Sequence, residues 1–202
     1  MSICYLVGAG DFYSQLSTTD EDIIIAADGG YDNLASHGYT PNVLVGDFDS
    51  IKREIPEGVR TVKYPEKKDE TDMFLAYEEG VKLGFSDFVL IGATGGRLDH
   101  TYANLSLLLY AKEHGHNLTI IDSNGIILCI KNEAVTLTGS EGAYLSVFAV
   151  GGVANGVTIS GAEYEVKNTS LSPAFPLGVS NRFKDCPAYI SVEDGALLII
   201  AE

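Results

Sequence analysis

Acidic side chains follow several apolar runs of this sequence, and they are suited to metal and phosphate chemistry. Asp28 follows one run in AADGG, and Asp47 and Asp49 follow the next in VGDFDS. Alternate residues of an extended segment point the same way, which leaves Phe48 to turn into the packing. Two carboxylates so close repel each other unless a cation lies between them, and Mg²⁺ commonly binds one or two carboxylates together with substrate phosphates. The pattern predicts a magnesium site, with an ordinary Asp-rich turn as the alternative.

A second acidic stretch, KKDETD, precedes a segment with helical periodicity. Asp69 and Asp72 are three residues apart, which places them on one side of a first helical turn if the helix starts early enough. Asp69 or Thr71 is also a candidate cap, because short polar side chains accept hydrogen bonds from the first helical amides. Lys68 is a candidate phosphate contact, although lysines in such runs are commonly solvated. The stretch adds two carboxylates and one cation to the predicted site.

The stretch GATGGRLDHTYAN combines a glycine-rich turn with the start of a helix. Amide groups and the positive end of the helix dipole favour an anion at such a place. Arg97 offers a planar fork for phosphate oxygens, while His100 and Asn104 share one helical face at four-residue spacing. The earlier VGAG lacks the third glycine of a dinucleotide fingerprint, so it predicts only a tight turn able to approach a nucleotide.

Apolar runs alternate with helical segments up to about residue 122. The predicted strands are Ile3–Val7, Ile23–Ala27, Val43–Val45, Val59–Tyr64, Phe88–Ile91 and Leu118–Ile121. The predicted helices cover residues 70–82, with Met73, Tyr77 and Val81 on one face, and 98–114, with Leu98, Tyr102, Leu105 and Leu109 on one face. Short Val- and Ile-rich strands suit a sheet that is buried on both faces. We therefore predict an open, mainly parallel α/β sheet with helices on both faces, whose ligands bind beyond the carboxyl ends of the strands.

The chain changes character after about residue 123, where short strands alternate with Gly, Asn and Asp. Turns are predicted at Gly139, Gly151–Gly152, Asn155–Gly156, Gly161 and Asp194–Gly195. This pattern favours a small C-terminal antiparallel β-sandwich. The predicted domains are residues 1–123, α/β, and residues 124–202, all-β.

Composition narrows the classes of function. The formal net charge of −15 in 202 residues argues against a nucleic-acid partner, because phosphate backbones would be repelled. The same field favours a cationic ligand. Cys4, Cys129 and Cys186 are too few and too far apart for a disulfide framework, so we expect reduced thiols packed in the core. No apolar stretch approaches the roughly 20 residues of a membrane span, and the start lacks a basic segment, which favours a cytoplasmic protein without membrane contact.

Five motifs in order resemble those of the thiamine pyrophosphokinase family. They are DGG at residue 28, GDFDS at 46–50, PEKKDETD at 65–72, GGRLDH at 95–100 with Asn104 following, and PLGVSN at 176–181. No single motif is specific, but their order and spacing over nearly the whole chain are. The resemblance implies transfer of the pyrophosphoryl group of ATP to thiamine, giving AMP and thiamine diphosphate. It also implies a homodimer whose thiamine site forms where the α/β domain of one subunit meets the β domain of the other.

The resemblance implies roles for residues at the matching positions. Magnesium would bind Asp47, Asp49 and Asp72, with Asp69 and Asp99 completing the acidic catalytic cluster. Arg97 would act in catalysis and, with Asn104, position phosphate. The predicted ATP-binding residues are Asp28, Lys68, Arg97, His100 and Asn104, and the predicted thiamine-binding residues are Asp72, Asp99, Ser180 and Asn181.

One departure and two rival functions stand beside this interpretation. Some family members place a Trp against the thiamine rings, and this chain has no Trp, so a Tyr or Phe must take that place. A phosphohydrolase would use Asp47 as a nucleophile on phosphate. A thiamine or nucleotide sensor would bind without turnover, although it would have little use for so many carboxylates.

Overall fold

The computed structural model describes residues 2–12 and 15–202, and its contacts divide the chain into two compact units. The first unit comprises Met1–Leu107 and Gly115–Ser123. The second comprises Leu108–His114 and Asn124–Glu202, so it takes in a short segment that the sequence assigned to the α/β domain.

The first unit contains a parallel sheet. Its strands are β1 Cys4–Val7, β2 Ile23–Ala27, β3 Val43–Gly46, β4 Arg60–Lys63, β5 Asp87–Ile91 and β6 Asn117–Asp122. They lie in the order β4-β3-β2-β1-β5-β6, and each neighbouring pair is parallel. In this sheet β2 lies on one side of β1, and β5 lies on the other side. This reversal beside β1 is a topological switch point, where the loops after β1 and β5 diverge and leave a crevice.

Two helices of the first unit cover opposite faces of this sheet. The helices of the chain are α1 Gly30–Ser36, α2 Asp72–Lys82 and α3 Leu98–Glu113. Tyr31 and Leu34 of α1 share a buried cluster with Tyr5 of β1. Gly80 of α2 lies instead over Cys4, which points to the other face because successive strand residues alternate. The predicted open α/β sheet with helices on both faces is therefore confirmed.

Two details of the predicted packing are wrong. Strand β4 is largely exposed, because it forms the edge of the sheet rather than a strand buried on both faces. On α3 the predicted apolar stripe fails at Leu98 and Tyr102, which are 82% and 72% exposed. The helix buries Asn104 and Leu107 instead, so its inward face is rotated away from that stripe.

The second unit is antiparallel. Its strands are β7 Gly125–Lys131, β8 Ala134–Leu137, β9 Tyr144–Ser160, β10 Val166–Leu171, β11 Gly178–Arg182, β12 Ala188–Ser191 and β13 Asp194–Ala201. The first half of β9 pairs with β13 and β11, and its second half pairs with β10 and β12. Strand β13 also pairs with β7, and β12 with β8. The predicted C-terminal antiparallel β-domain is confirmed.

Strand β9 runs through two of the predicted turns, so those turn predictions are wrong. Gly151 and Gly156 both have positive φ, but the chain continues as a strand through them. The register against β13 shifts between the pairs Asp194/Asn155 and Ala196/Val150. The extra residues form an irregular bulge where β9 changes partners, a place where glycine is common in sheets. Asp194 likewise begins β13 instead of forming a turn.

The cysteine prediction holds in part. All three thiols are free, and Cys4 and Cys129 are buried in the two units. Burial raises the pKa of Cys129 to about 11 and raises that of Cys4 further. Cys186 is exposed, so the expectation that it packs in the core is wrong. Among the described residues, no helix is both long enough and apolar enough to cross a membrane.

Candidate active site

A cavity of about 460 Å³ opens at the carboxyl ends of β1, β2, β3 and β5. Its lining comes from the loops that follow those strands and from the starts of α2 and α3. The lining residues are Gly8, Ala9, Gly10, Ala27, Asp28, Gly29, Asp49, Ser50, Asp72, Met73, Gly92, Ala93, Thr94, Gly96, Arg97, His100, Thr101 and Asn104. The cavity therefore lies at the switch point between β1 and β5, within the first unit.

The DGG motif is explained by a close approach of backbones beside this cavity. A Cβ on Gly30 would lie 2.0 Å from the carbonyl oxygen of Val7. A side chain there would push α1 away from β1. The chain turns so tightly before α1 that Asp28 has a φ of 43°, and its side chain lines the cavity.

Three carboxylates meet beside the cavity. Asp28, Asp47 and Asp49 each offer an oxygen, and these oxygens lie within 4.8 Å of one another. Asp47 and Asp49 do not converge by strand alternation, because Phe48 between them has a φ of 71°. They converge through a turn in which the Asp49 amide donates to Asp47 Oδ1 at 3.1 Å. Phe48 does turn into the packing, against the cluster around Leu44.

The environment of Asp28 suits a carboxylate that binds a cation. Its Oδ1 atom is buried and has no hydrogen-bond partner among the described residues. Burial raises the pKa of Asp28, hydrogen bonds from Ser50 and the Gly29 amide offset part of this rise, and the charges of Asp72 and Asp47 add to it. A carboxylate oxygen buried without a donor is unfavourable unless a cation approaches it. An all-oxygen donor set suits Mg²⁺, so these residues fit that ion.

Lys68 and Asp72 form an ion pair at the start of α2. Lys68 Nζ lies 2.5 Å from Asp72 Oδ1, and both side chains are largely shielded from solvent. Hydrogen bonds with the amide and the side chain of Asp49, and after them the charge of Lys68, lower the pKa of Asp47. Asp72 lines the cavity but is not one of the three closely grouped carboxylates. Its role as a metal ligand stays a prediction.

The start of α3 brings an arginine, a histidine and an asparagine to the cavity. Arg97 donates from Nη2 to Asp99 Oδ2 at 2.6 Å and from Nε to Asp99 Oδ1 at 3.1 Å. These bonds raise the pKa of Arg97 and lower that of Asp99, which is exposed and is not among the lining residues. Asn104 is buried and donates to the carbonyl oxygen of Ala93 at 2.9 Å, while His100 lines the cavity without burial.

Asp69 lies apart from the three grouped carboxylates. Helix α2 begins at Asp72 with Thr71 as its cap, whose side chain accepts from the Phe74 amide. Asp69 therefore precedes the helix, and the condition for a shared helical face with Asp72 is not met. It lines a separate cavity of about 320 Å³ with Glu70, Thr71, Phe74, Ala103, Ser106 and Leu107.

Ser180 and Asn181 belong to the second unit, on β11. Ser180 is exposed and has a φ of 61°. Asn181 is 4% exposed, and its amide holds the backbone of Tyr164. Its Oδ1 accepts from the Tyr164 amide at 2.9 Å, and its Nδ2 donates to the Tyr164 carbonyl at 2.7 Å. A thiamine contact for either residue stays a prediction.

Three polar residues at or beside the site had no role predicted from the sequence. Ser50 lines the cavity and donates to Asp49 Oδ1 at 2.9 Å. Thr94 also lines it and donates to Asp122. Asn33 lies on α1 and contacts a loop more than 20 residues away. The partners of Thr94 and Asn33 are distant in sequence, so only the fold brings them together.

Two family models match the chain. One, described as "Thiamin pyrophosphokinase, catalytic domain", matches residues 14–120. The other, described as "Thiamin pyrophosphokinase, vitamin B1 binding domain", matches residues 126–197. Together they span most of the sequence and follow its change from α/β to all-β.

Individual proteins agree with the family models. The thiamine pyrophosphokinase of Bacillus subtilis is 27% identical over 189 residues, which cover 90% of this chain and 88% of that protein. Thiamin pyrophosphokinase 1 of Caenorhabditis elegans is 22% identical over 188 residues, covering 87% of this chain and 77% of that protein.

Solved structures show the same fold. The crystal structure of the Bacillus subtilis thiamine pyrophosphokinase has a TM-score of 0.87 at 23% identity and covers 100% of this chain and 99% of its own. That of a thiamin pyrophosphokinase from Geobacillus thermodenitrificans has a TM-score of 0.83 at 26% identity, with 99% and 97% covered. At 23% identity, the similarity to the Bacillus subtilis structure shows the fold alone.

Proposed function

This chain belongs to the thiamine pyrophosphokinase family, and we propose that it transfers the pyrophosphoryl group of ATP to the hydroxyl of thiamine. The thiamine oxygen forms a bond to the β-phosphorus, and the bond between that phosphorus and the oxygen that bridges it to the α-phosphorus breaks. That oxygen leaves with AMP, and a carboxylate, Asp72 or Asp99, would accept the hydroxyl proton. Positioning and charge neutralisation supply most of the catalysis in phosphoryl transfer.

The observation that carries this proposal is the convergence of Asp28, Asp47 and Asp49 within 4.8 Å beside a cavity at the switch point. A cavity of about 460 Å³ is large enough for a substrate-sized ligand. Its glycine-lined loops let a ligand approach the backbone closely.

The acidic group would hold Mg²⁺ through Asp28, Asp47 and Asp49, with Asp72 as a further predicted ligand. When bound, the ion neutralises phosphate charge and orients the triphosphate. The unpartnered oxygen of Asp28 supports this assignment, because it needs a cation to offset its burial.

The chain's own cations and amides act on the phosphates. Arg97 and the amides at the start of α3 would bind phosphate oxygens, in competition with Asp99 for the guanidinium fork. Lys68 and His100 are further predicted ATP contacts. Asn104 would act by fixing the Ala93 backbone at the cavity wall.

Thiamine binding and dimerisation complete the proposal. The thiazolium ring is a fixed cation, so the net charge of −15 attracts it. Asp72 and Asp99 would face thiamine from the α/β domain of one subunit, and Ser180 and Asn181 from the β domain of the other. Asn181 would act through Tyr164, since its amide already holds that backbone. Asp69 remains a predicted member of the acidic cluster.

Incubation with ATP, Mg²⁺ and thiamine, assayed for AMP, tests the proposal. We expect AMP only when thiamine is present, in amounts equal to the thiamine diphosphate formed. Phosphate release without thiamine would indicate the hydrolase instead, and binding without turnover would indicate the sensor.

Asp47→Asn is the matched variant for this assay. We expect turnover to fall by at least about 100-fold, the scale of losing a major charge-stabilising group. Asp185→Asn, an exposed change in the second unit, is the control and keeps turnover. A folded Asp47→Asn protein with wild-type turnover would remove Asp47 from the site.

A further inference from the structure

Two glycine-containing loops form one wall of the cavity, and their backbones touch. The Gly8 amide donates to Ile91 at 2.8 Å, and the Gly10 amide donates to Gly92 at 3.0 Å. A Cβ on Gly8 would lie 2.6 Å from the Gly92 oxygen, and one on Gly10 would lie 2.1 Å from the Thr94 oxygen. The Asp11 amide, on the same peptide as the Gly10 carbonyl, also donates to the Thr94 carbonyl oxygen at 2.9 Å, so backbone bonds between the loops hold the amide sides of these peptides.

Asn33 of α1 holds two carbonyl groups of the same wall. Its Nδ2 donates to the carbonyl oxygen of Gly8 at 2.9 Å and to that of Gly10 at 2.7 Å. Both carbonyls are thereby directed at α1, at a residue that is not among those lining the cavity. One half-buried amide thus fixes two peptide groups of the wall.

We propose that Asn33 is a positioning residue for nucleotide binding, which holds the Gly8 and Gly10 carbonyls away from the phosphates. This inference rests on the proposed function, in which the cavity takes ATP. Carbonyl oxygens carry partial negative charge and would repel a polyanion if they turned into the cavity. Glycine peptides turn readily because no Cβ restricts them, so a partner on the carbonyl side adds to the backbone bonds that the facing loop makes on the amide side. Asn33 is such a partner and makes no contact with the nucleotide itself.

The experiment compares Asn33→Ala and Asn33→Asp with the wild-type protein. Asp has nearly the size of Asn but, when ionised, has no donor for the two carbonyls. Asn42→Ala is the control, because Asn42 Oδ1 accepts from the Ile24 amide at 2.7 Å at the opposite, amino-terminal ends of the strands. Calorimetric binding of a non-hydrolysable ATP analogue with Mg²⁺, the thiamine KM and Tm are measured for each protein.

We expect both Asn33 variants to bind the analogue about tenfold more weakly, a change of about 1.4 kcal/mol, with the thiamine KM unchanged. Asn42→Ala should lower Tm and leave analogue affinity unchanged. This contrast separates a role in the nucleotide wall from a general structural role.

Analogue affinity within about twofold of wild type in Asn33→Asp would overturn the proposal, as would an equal rise in the thiamine KM. If neither variant folds, Asn33→Ser, which keeps one hydroxyl donor, takes their place and is held to the same criteria. A wild-type protein that binds no analogue would overturn the proposed function and with it the role of Asn33. The wild-type measurement therefore distinguishes the two failures.

Discussion

At the scale of single residues, we expect the Asp28 carboxylate to have opposite effects on stability and on activity. Burial and, to a smaller extent, two neighbouring carboxylates disfavour its charge in the folded protein, and hydrogen bonds from Ser50 and the Gly29 amide offset only part of this effect. One of its oxygens has no hydrogen-bond partner in the described chain. Groups placed this unfavourably are common at functional sites, where a bound ligand offsets the penalty. The residue should therefore destabilise the metal-free protein while being needed for activity.

We expect Asp28→Asn to raise Tm of the metal-free protein near neutral pH by about 2–4 °C. Removal of one charge from a close carboxylate group relieves about 1 kcal/mol, which shifts Tm by that amount in a chain of this size. Turnover should be lost in the same variant. Asp20→Asn, at an exposed position, is the control and leaves Tm unchanged.

The raised pKa of Asp28 determines the direction in which the free energy of unfolding should change with pH. Because the pKa of Asp28 is raised in the folded state, the folded protein binds this proton more tightly than the unfolded chain does. The free energy of unfolding therefore falls as pH rises through that pKa, and Asp28→Asn removes this loss. The advantage of the variant should vanish in acid. Thermal denaturation over a pH series tests this, and a variant less stable than wild type at neutral pH would contradict it.

Residue types and spacing indicated the acidic group but not its geometry. The carboxylates of Asp47 and Asp49 were identifiable because both follow one buried strand. Their convergence depends on the left-handed backbone of Phe48, which no local pattern signalled. Asn33 escaped prediction because its partners are 23 and 25 residues away in sequence.

At the scale of elements, Thr71 fixes where α2 begins and so where Asp72 lies. Its hydroxyl accepts from the Phe74 amide at 3.2 Å, while the Asp72 carboxylate is left for Lys68 and the cavity. The cap therefore defines the boundary between a loop residue, Asp69, and the first helical residue, Asp72.

We expect Thr71→Ala to lower the free energy of unfolding by about 1 kcal/mol, as is usual for loss of such a cap. Tm should fall by about 2–4 °C. Ser106→Ala is the control, because its hydroxyl bonds within α3 on an exposed face. Denaturant unfolding measures both, and an unchanged midpoint in Thr71→Ala would show that the hydroxyl does not stabilise α2.

Strands and helices were predictable where one hydrophobic period dominated a segment. The prediction of the buried face was wrong where tertiary packing determined it. The buried strands β1, β2, β3 and β5 follow from Val- and Ile-rich runs. The inward face of α3 did not follow, because Asn104 is buried through its bond to Ala93 while the apolar Leu98 and Tyr102 remain outside. Glycine likewise marks both turns and bulges, and only strand pairing shows that β9 continues through Gly151.

At the scale of the whole molecule, sheet order rather than any motif places the site. Segments separated by tens of residues reach one edge because their strands are parallel and adjacent. The strand order itself depends on long-range pairing, which a single sequence does not reveal. The strong negative charge then acts on what reaches that edge, favouring a cationic substrate and metal-bound nucleotide over free ATP.

The proposed thiamine contacts of the second unit can be tested by comparing the KM values of the two substrates. We expect Ser180→Ala and Asn181→Ala to raise the thiamine KM several times more than the ATP KM, because the proposed GVSN contacts concern thiamine. Asn181→Ala should act by releasing the Tyr164 backbone. Ser170→Ala removes a hydroxyl bond to Asn155 in the same unit and serves as the control. Equal changes in both KM values would place this loop outside the thiamine site.

The proposed function depends on one divalent-cation site that carboxylates from separate loops form together. Electron paramagnetic resonance of Mn²⁺, which accepts the same oxygen ligands as Mg²⁺, reports on this site. We expect the wild-type protein to bind Mn²⁺ in competition with Mg²⁺. A folded double variant, Asp47→Asn with Asp49→Asn, should bind Mn²⁺ at least about tenfold more weakly. Equal Mn²⁺ affinity in the two proteins would show that these carboxylates do not form the site.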